Sequence, residues 1–387
     1  MTQSIEGIHD TAVSAWFEAH IPGARGPFTF SLIAGGHSNL TYAVDDAARQ
    51  RFVLRRPPLG HVLQSAHDVA REHRIISALA GSAVPVAPAL GLCEDLGVNE
   101  APFYVMRFVE GAVLHDADSA RDLPAEVRAS LGDDVVDVLA ALHAIDPDAV
   151  GLGTLGRKEA YIARQLKRWT TQWENSKQRE IPAMDAARAL LGERLPEQVG
   201  ATIVHGDYRL GNMIVADGKI QGVLDWELCT LGDPLADVGY LLNAWVQPGE
   251  VDTRQGDQAP TAVGGFGDRE ALAARVTARH GADAAGDLVA EGVGDLEPGH
   301  RLQPRAVAER LGAAQLALVE AEHPEAELEP APFALCCAQR ELISYSALLI
   351  IDICVFKRSD LNGAQACITA GKYDCLISQW MTSATAI

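Results

Sequence analysis

The chain has 387 residues, 48% of them hydrophobic, with 52 acidic against 32 basic side chains and a formal net charge of −20. That much apolar material suits one large or two smaller packed units and excludes global disorder. The charge argues against nucleic acid and against an anionic membrane surface, both of which require a basic face, but not against a small anionic ligand, because a pocket carries its own local field.

The opening "MTQSIEGIHDTAVSAWFEAHIPGARGPFTF" lacks a basic start followed by an apolar core, so no secretory signal is expected and a cytoplasmic location is. The longest apolar run, Leu342 to Phe356, is interrupted by Asp352 and too short to span a bilayer. Cys93 and Cys229 are isolated, and Cys336, Cys337, Cys354, Cys367 and Cys375 lie near the end with no CxxC pair, which suggests neither a zinc site nor a disulfide framework.

In chain order, "FTFSL" (Phe28 to Leu32), "LTYAV" (Leu40 to Val44) and "RFVLR" (Arg51 to Arg55) read as strands bounded by turn residues. A helix is expected from an N-cap at Ser65 to Leu79, with Val69, Glu72, Ile76 and Leu79 on one face. "PVAPALGLC" and "PFYVMRFV" (Pro102 to Val109) add two strands, and "EG" marks a hinge. Beyond it the pattern turns helical. Val127, Leu131, Val135, Val138 and Leu142 form one stripe, and Tyr161 to Trp173 another helix. "GDPLADVGYLLNAW" opens a further helix with Asp233 as N-cap and Pro234 at its first position. From about Gly264 the chain is Ala/Gly-rich and helical at best, "HPEAELEPAPF" reads as an exposed linker, and the final stretch shifts in composition. A small strand-rich part joined to a larger helical part is the expected architecture, with the joint as the ligand site.

The chemistry concentrates in "IVHGDYRLGNMIVADGKIQGVLDWE", Ile203 to Glu227. Two apolar runs flank Asp217-Gly218, a hairpin signal. Pairing about that turn returns Asn212 and Asp225 to the same open end, with Asp207 on the loop that enters it. Magnesium takes a few such oxygens together with water and substrate phosphates. Any one of these residues explains itself as a turn or cap residue; two acids and an amide converging away from the turn do not.

Asp207-x-x-x-x-Asn212, followed by Asp225 after a short hairpin, matches the kinase order of catalytic Asp, metal-binding Asn and metal-binding Asp. The form "HGDYRLGN…VLDWE" resembles the aminoglycoside phosphotransferase and choline kinase-like family. With "FVLRRPP", "SAHDVAREHRIISAL", "PFYVMRFVEG", "IPAM" and "VLDWELCTLGDPLADVGY", it is most similar to the kinase-like domain attached to acyl-CoA dehydrogenase family members ten and eleven, over roughly residues 25 to 265. The resemblance implies an α+β, bilobal protein-kinase-like fold, with a small β-rich nucleotide-binding lobe over residues 1–109 and a larger helical lobe over 110–387 holding the catalytic loop and acceptor site.

It also implies ATP and Mg²⁺ as cofactors and gives each residue a role. Asp207 is the base, Arg209 neutralises the transferred phosphate or pairs with Asp207, and Asn212 and Asp225 hold the metal. Arg55 stands where kinases usually carry a strand Lys, with Glu72 as its helix partner; an Arg keeps the charge with a broader planar fork. "AGGHSN" replaces the glycine-rich loop, so Gly35, Gly36, Ser38 and Asn39 are assigned to phosphate, and backbone groups around Arg107 to adenine. His205 is expected to be a packed loop support, Asp237 to brace the catalytic loop, and Glu227 to touch metal or substrate. The acceptor implied is a hydroxyl of a small molecule, most simply a hydroxyacyl-CoA, with Arg164, Lys167 and Arg168 as candidates to meet its anionic part. The alternatives are an aminoglycoside, choline or other small-molecule kinase, or a nucleotide-binding pseudokinase.

Overall fold

The computed structural model describes residues 5–34, 39–59, 68–177, 182–193, 195, 197–249 and 259–280. Gly35, Gly36, Ser38, Ser65, the Ile181 of "IPAM" and everything after residue 280 therefore lie outside the described residues.

The N-terminal part begins with α1 (Asp10–His20) and an antiparallel sheet of β1 (Thr29–Ala34), β2 (Leu40–Asp45), β3 (Arg51–Arg56), β4 (Ala89–Cys93) and β5 (Phe103–Arg107), in the order β1-β2-β3-β5-β4. Helix α2 (Val69–Leu79) links β3 to β4, and the short α3 (Leu96–Asn99) lies between β4 and β5. Strand alternation divides the sheet into two faces. Phe52, Leu54, Phe103 and Val105 join Val13, Phe17 and Phe28 in a core under α1, where the Phe17 and Phe28 rings lie 5.2 Å apart. Val53, Tyr104 and Met106 face the other way, into the core shared with α2 and the helical part. The register sets Arg55 opposite Tyr104 and Phe52 opposite Arg107, so the faces carrying Arg55 and Arg107 are opposite ones.

Two expectations change here. The first hundred residues hold α1 as well as α2; Val13, Trp16 and Phe17 are its buried face, at helical spacing that was readable in "TAVSAWF". Helix α2 starts at Val69 rather than near Ser65, because the Asp68 side chain accepts from the backbone N–H of Arg71 and supplies the cap.

The helical part contains β6 (Ala112–Val113), α4 (Ala117–Arg121), α5 (Ala125–His143), α6 (Tyr161–Ser176), α7 (Pro182–Glu193), β7 (Thr202–Val204), β8 (Met213–Ala216), β9 (Lys219–Val223), β10 (Thr230–Gly232), α8 (Leu235–Ala244) and α9 (Arg269–His280). Strands β6, β8 and β9 form one small sheet and β7 pairs with β10. The stripe on α5 packs as expected, with Leu131, Val135, Val138 and Leu142 buried. The Ala/Gly-rich segment does form a helix at α9, held to α5 by Arg275 and Arg279, whose guanidinium groups both fork onto Asp137. The fold is α+β. No helix of the described residues is long and apolar enough to cross a membrane.

Candidate active site

The β8–β9 hairpin turns at Asp217 and Gly218, with φ of 52° and 70°, as a two-residue turn with both central residues left-handed requires. Its open end meets the loop leaving β7. That loop is hung from α8: Asp237, wholly buried, accepts from the backbone N–H of His205 at 2.7 Å and of Gly206 at 2.8 Å. His143, from the end of α5, adds a third contact to Asp237 at 3.2 Å. His205 is itself fully buried. Its Nδ1 accepts from the Asp207 N–H at 3.1 Å and its Nε2 donates to the Leu224 carbonyl at 2.9 Å, which sets the tautomer and uses both nitrogens. It is a strut between the loop leaving β7 and the end of the hairpin.

Asp207 is held from both sides. The Asn212 amide nitrogen donates to Asp207 Oδ2 at 2.7 Å and to its backbone carbonyl at 2.9 Å, while Arg209 Nε donates to Oδ1 at 3.1 Å. Burial alone would lower the Arg209 pKa, but the Asp207 carboxylate more than offsets this and raises it, so the guanidinium stays charged. With its nitrogen committed to Asp207, the end of Asn212 that remains for a cation is its oxygen. The Leu224 N–H bonds the Asn212 carbonyl at 2.8 Å, which sets Asp225 one residue past the paired position. Asp225 adopts a left-handed conformation, φ 64° and ψ 63°, a strained backbone for a non-glycine residue.

The second half of the site comes from the sheet. Arg55 Nη2 donates to Asp225 Oδ1 at 2.7 Å, and Arg55 Nε lies 2.9 Å from Glu72 Oε2. Glu72, 2% exposed, also accepts from the Tyr104 hydroxyl at 3.0 Å and from the Asn39 amide. Burial works to lower the Arg55 pKa, yet Glu72 and then Asp225 push it above its ordinary value. A third tie runs from α2: Arg71 donates to the carbonyls of Glu227, Cys229 and Leu155.

The structure thus brings Asp207, Arg209 and Asn212 together, and joins Asp225 to Arg55, Glu72 and Asn39. Asn39 serves Glu72 with its side chain. Arg107 stands apart: its side chain reaches Gln50 at 3.5 Å on the face opposite Arg55, and its backbone N–H donates to Pro88. Lys167 and Arg168 are exposed on α6, and Arg164 donates to the Arg157 carbonyl. Helix α8 opens at Leu235, one residue later than expected, with the Asp233 side chain accepting from the Leu235 N–H. His143, Tyr104 and Arg71 were missed from the sequence; each is an ordinary helix or strand residue whose partners are distant in the chain.

Among the described residues no three His, Cys, Asp or Glu side chains cluster as a metal cage. One carboxylate at Asp225 and one amide oxygen at Asn212 leave the other positions to water and phosphate, which is the donor set Mg²⁺ takes.

The sequence pattern of a phosphotransferase enzyme family matches residues 29–274. Acyl-CoA dehydrogenase family member 10 of Mus musculus is 40% identical over 245 residues, covering 62% of this chain and 23% of that protein. Acyl-CoA dehydrogenase family member 11 of Rattus norvegicus is 34% identical over 237 residues, 59% of this chain and 30% of that one. The chain therefore spans less than a third of the length of these curated relatives. Among solved structures, a candidate aminoglycoside phosphotransferase from Ralstonia eutropha superimposes with a TM-score of 0.64 at 28% identity, covering 97% of this chain and 98% of its own. A thermostable mutant of aminoglycoside phosphotransferase APH(4)-Ia, in ternary complex with ADP and hygromycin B, shares the fold at a TM-score of 0.51 and 16% identity, over 96% of this chain and 97% of its own.

Proposed function

We propose that this chain, which belongs to the phosphotransferase enzyme family, moves the γ-phosphoryl group of ATP to a hydroxyl of a small molecule. The observation that carries the reading is the meeting of two groups at the open end of the hairpin: Glu72–Arg55–Asp225 from the sheet side, and Asn212–Asp207–Arg209 on the loop, with the Leu224 N–H bonded to the Asn212 carbonyl between them. The Glu72–Arg55–Asp225 group spans the join between the sheet and the helical part, where phosphoryl transfer needs positioning and charge neutralisation rather than covalent chemistry.

In this reading Asp207 orients the acceptor hydroxyl and takes its proton as the acceptor oxygen bonds to the γ-phosphorus. The bond from that phosphorus to the β,γ-bridging oxygen breaks, and its electron pair leaves with ADP. Asp225 and the Asn212 oxygen would hold Mg²⁺, which when bound neutralises charge on the phosphates. Arg55 keeps Asp225 in place and adds positive charge beside it. The nucleotide is assigned to the part up to Val109, with backbone around Arg107 at the base and the loop from Gly35 through Ser38 to Asn39 at the phosphates; the acceptor is assigned to the helical part.

For the acceptor, a hydroxyacyl-CoA is the first choice, supported by the similarity to acyl-CoA dehydrogenase family members. The test is ADP release with hydroxyacyl-CoAs, aminoglycosides and choline, comparing wild type with Asp207→Ala. Turnover with a hydroxyacyl-CoA that Asp207→Ala abolishes is expected. Mg-ATP binding without acceptor-dependent turnover would replace the enzyme reading with a pseudokinase, and turnover only with an amino sugar or choline would remove the acyl-CoA.

A further inference from the structure

Two neighbouring residues of α2 leave the helix in different directions. Glu72 turns inward to Arg55. Arg71 turns to the helical part, where its Nη1 donates to the Glu227 carbonyl at 3.3 Å and its Nη2 to the carbonyls of Cys229 and, at 3.4 Å, Leu155. Successive helix positions lie about 100° apart, so a single turn of α2 serves both directions. The guanidinium brings its charge into these bonds, which makes them stronger than bonds between neutral groups.

The Glu227 and Cys229 carbonyls belong to the segment immediately after Asp225, a 3₁₀ turn over Trp226–Leu228 that ends at Cys229. Asp225 itself holds φ 64° and ψ 63°, a conformation that costs a non-glycine residue energy and persists only where the surroundings fix it. Before it, the Leu224 N–H is bonded to Asn212, and its carboxylate is held by Arg55. After it, the turn is closed from within by the Cys229 N–H on the Trp226 carbonyl at 3.1 Å and by Trp226 Nε1 on the Val223 carbonyl at 3.0 Å. Arg71 adds the hydrogen bonds that fasten the carbonyls of this turn to α2. Arg74, one helical turn on, also joins α2 to the helical part, through the Gly151 carbonyl at 2.6 Å and the Thr154 hydroxyl at 2.9 Å. Both of those partners lie in the loop between α5 and α6, away from the turn that follows Asp225.

We propose that Arg71 is a positioning residue: by holding the Glu227 and Cys229 carbonyls it keeps Asp225 in its left-handed conformation, with the carboxylate turned to Arg55. Helix α2 then sets Asp225 twice, at the side chain through Glu72 and Arg55 and at the backbone through Arg71. The role of Asp225 toward Mg²⁺ rests on the phosphotransferase reading, whereas the bracket itself rests on the bonds of Arg71.

The test is amide hydrogen–deuterium exchange of the full chain, without nucleotide or metal, on wild type, Arg71→Ala, Arg71→Lys and Arg74→Ala. ATP turnover with a hydroxyacyl-CoA is then measured across a range of Mg²⁺ concentrations. Exchange over residues 225–229 should quicken about tenfold or more in Arg71→Ala and by no more than about twofold in Arg74→Ala. Arg71→Lys should lie between, because one ammonium cannot reproduce the fork that reaches several carbonyls. In turnover, Arg71→Ala should raise the Mg²⁺ concentration for half-maximal rate about tenfold and leave the KM for the acceptor unchanged, while Arg74→Ala moves neither. If Arg71→Ala unfolds, seen as fast exchange throughout α5, the comparison of Arg71→Lys with Arg74→Ala decides. Unchanged exchange at 225–229 in the Arg71 variants would overturn the proposal. So would an equal rise in Arg71→Ala and Arg74→Ala, the result that mere joining of the two parts gives, or a Mg²⁺ dependence identical in wild type and Arg71→Ala. Faster exchange confined to the Arg71 variants, with no turnover by wild type, would keep the bracket and remove only the phosphotransferase reading.

Discussion

Arg55 and Asp225 stand 170 positions apart in the chain and 2.7 Å apart in the fold. The same guanidinium reaches Glu72 on α2, so one side chain ties the sheet, the helix behind it and the Asp225 carboxylate together. In kinases generally a Lys on the corresponding strand pairs with the helix Glu; here the planar fork of Arg lets one residue hold two carboxylates at once.

Removing that tie should cost both stability and turnover. Arg55→Ala leaves Glu72 buried without its cation, which is expected to destabilise the protein by about 3–5 kcal/mol. ATP-dependent turnover should fall on the order of a hundredfold as Asp225 loses its anchor. Arg55→Lys retains the charge but not the fork, so it should lie between. Thermal denaturation and kcat/KM for ATP measure the two effects; an Arg55→Ala protein as stable as wild type would show that the network carries little energy.

Asn212 offers a test that depends on sign. Asn212→Ala removes both amide bonds to Asp207, and kcat should drop on the order of a hundredfold while the protein stays folded. Asn212→Asp instead sets a second carboxylate against Asp207, where the native contact is 2.7 Å. Two acids that close cannot both ionise freely, so one is held protonated to higher pH. The acidic limb of the kcat–pH profile should therefore move upward by about one unit or more in Asn212→Asp. A profile that stays in place would argue that Asp207 is not the base.

Gly206 takes φ of 92° while its N–H bonds Asp237, and a Cβ there would come within 2.9 Å of Leu228 Cβ and 3.0 Å of the Leu228 carbonyl. Gly206→Ala is expected to destabilise by about 1–3 kcal/mol. By displacing Asp207 it should lower kcat more than it raises the KM for ATP. Urea denaturation alongside steady-state kinetics would reveal this, and equal effects on kcat and KM would point to a general loosening instead.

Asp233 should be visible in the pH dependence of stability. Burial is the largest influence on it and pushes its pKa up to about 6, partly offset by backbone bonds from Leu235 and Val199. A carboxyl whose folded pKa lies above its unfolded value binds more protons in the native state between the two values. Its contribution is therefore present at low pH and lost as pH rises through about 6. Relative to Asp233→Asn, which cannot titrate, wild type should gain on the order of 1 kcal/mol between pH 7 and pH 5. Parallel stability curves for the two proteins would refute the assignment.

The sequence exposed whatever is local. Hairpin chemistry at Asp217-Gly218, the stripe on α5, and the spacing of Asp207, Asn212 and Asp225 follow from periodicity and turn preference alone, and all appear in the fold. The start of α2 was misjudged because two polar residues could serve as caps, Ser65 and Asp68, and only the geometry chooses Asp68. Helix α1 was overlooked although its apolar spacing was present, since a short amphipathic helix competes poorly with neighbouring strand signals.

What the sequence determined by itself is the inventory: which side chains can take a proton, hold a divalent cation or neutralise phosphate, and that they cluster about one hairpin. What the tertiary structure alone decided is which of them meet. Arg55 and Arg107 are both basic strand residues, yet the antiparallel register turns one toward Asp225 and the other to the far face of the sheet. Asp237 of α8 holds the loop leaving β7 and is itself met by His143 from α5. The reason is physical: periodicity encodes which face a residue takes, whereas its partner across the fold depends on how whole elements pack, and that packing is a property of the assembled core.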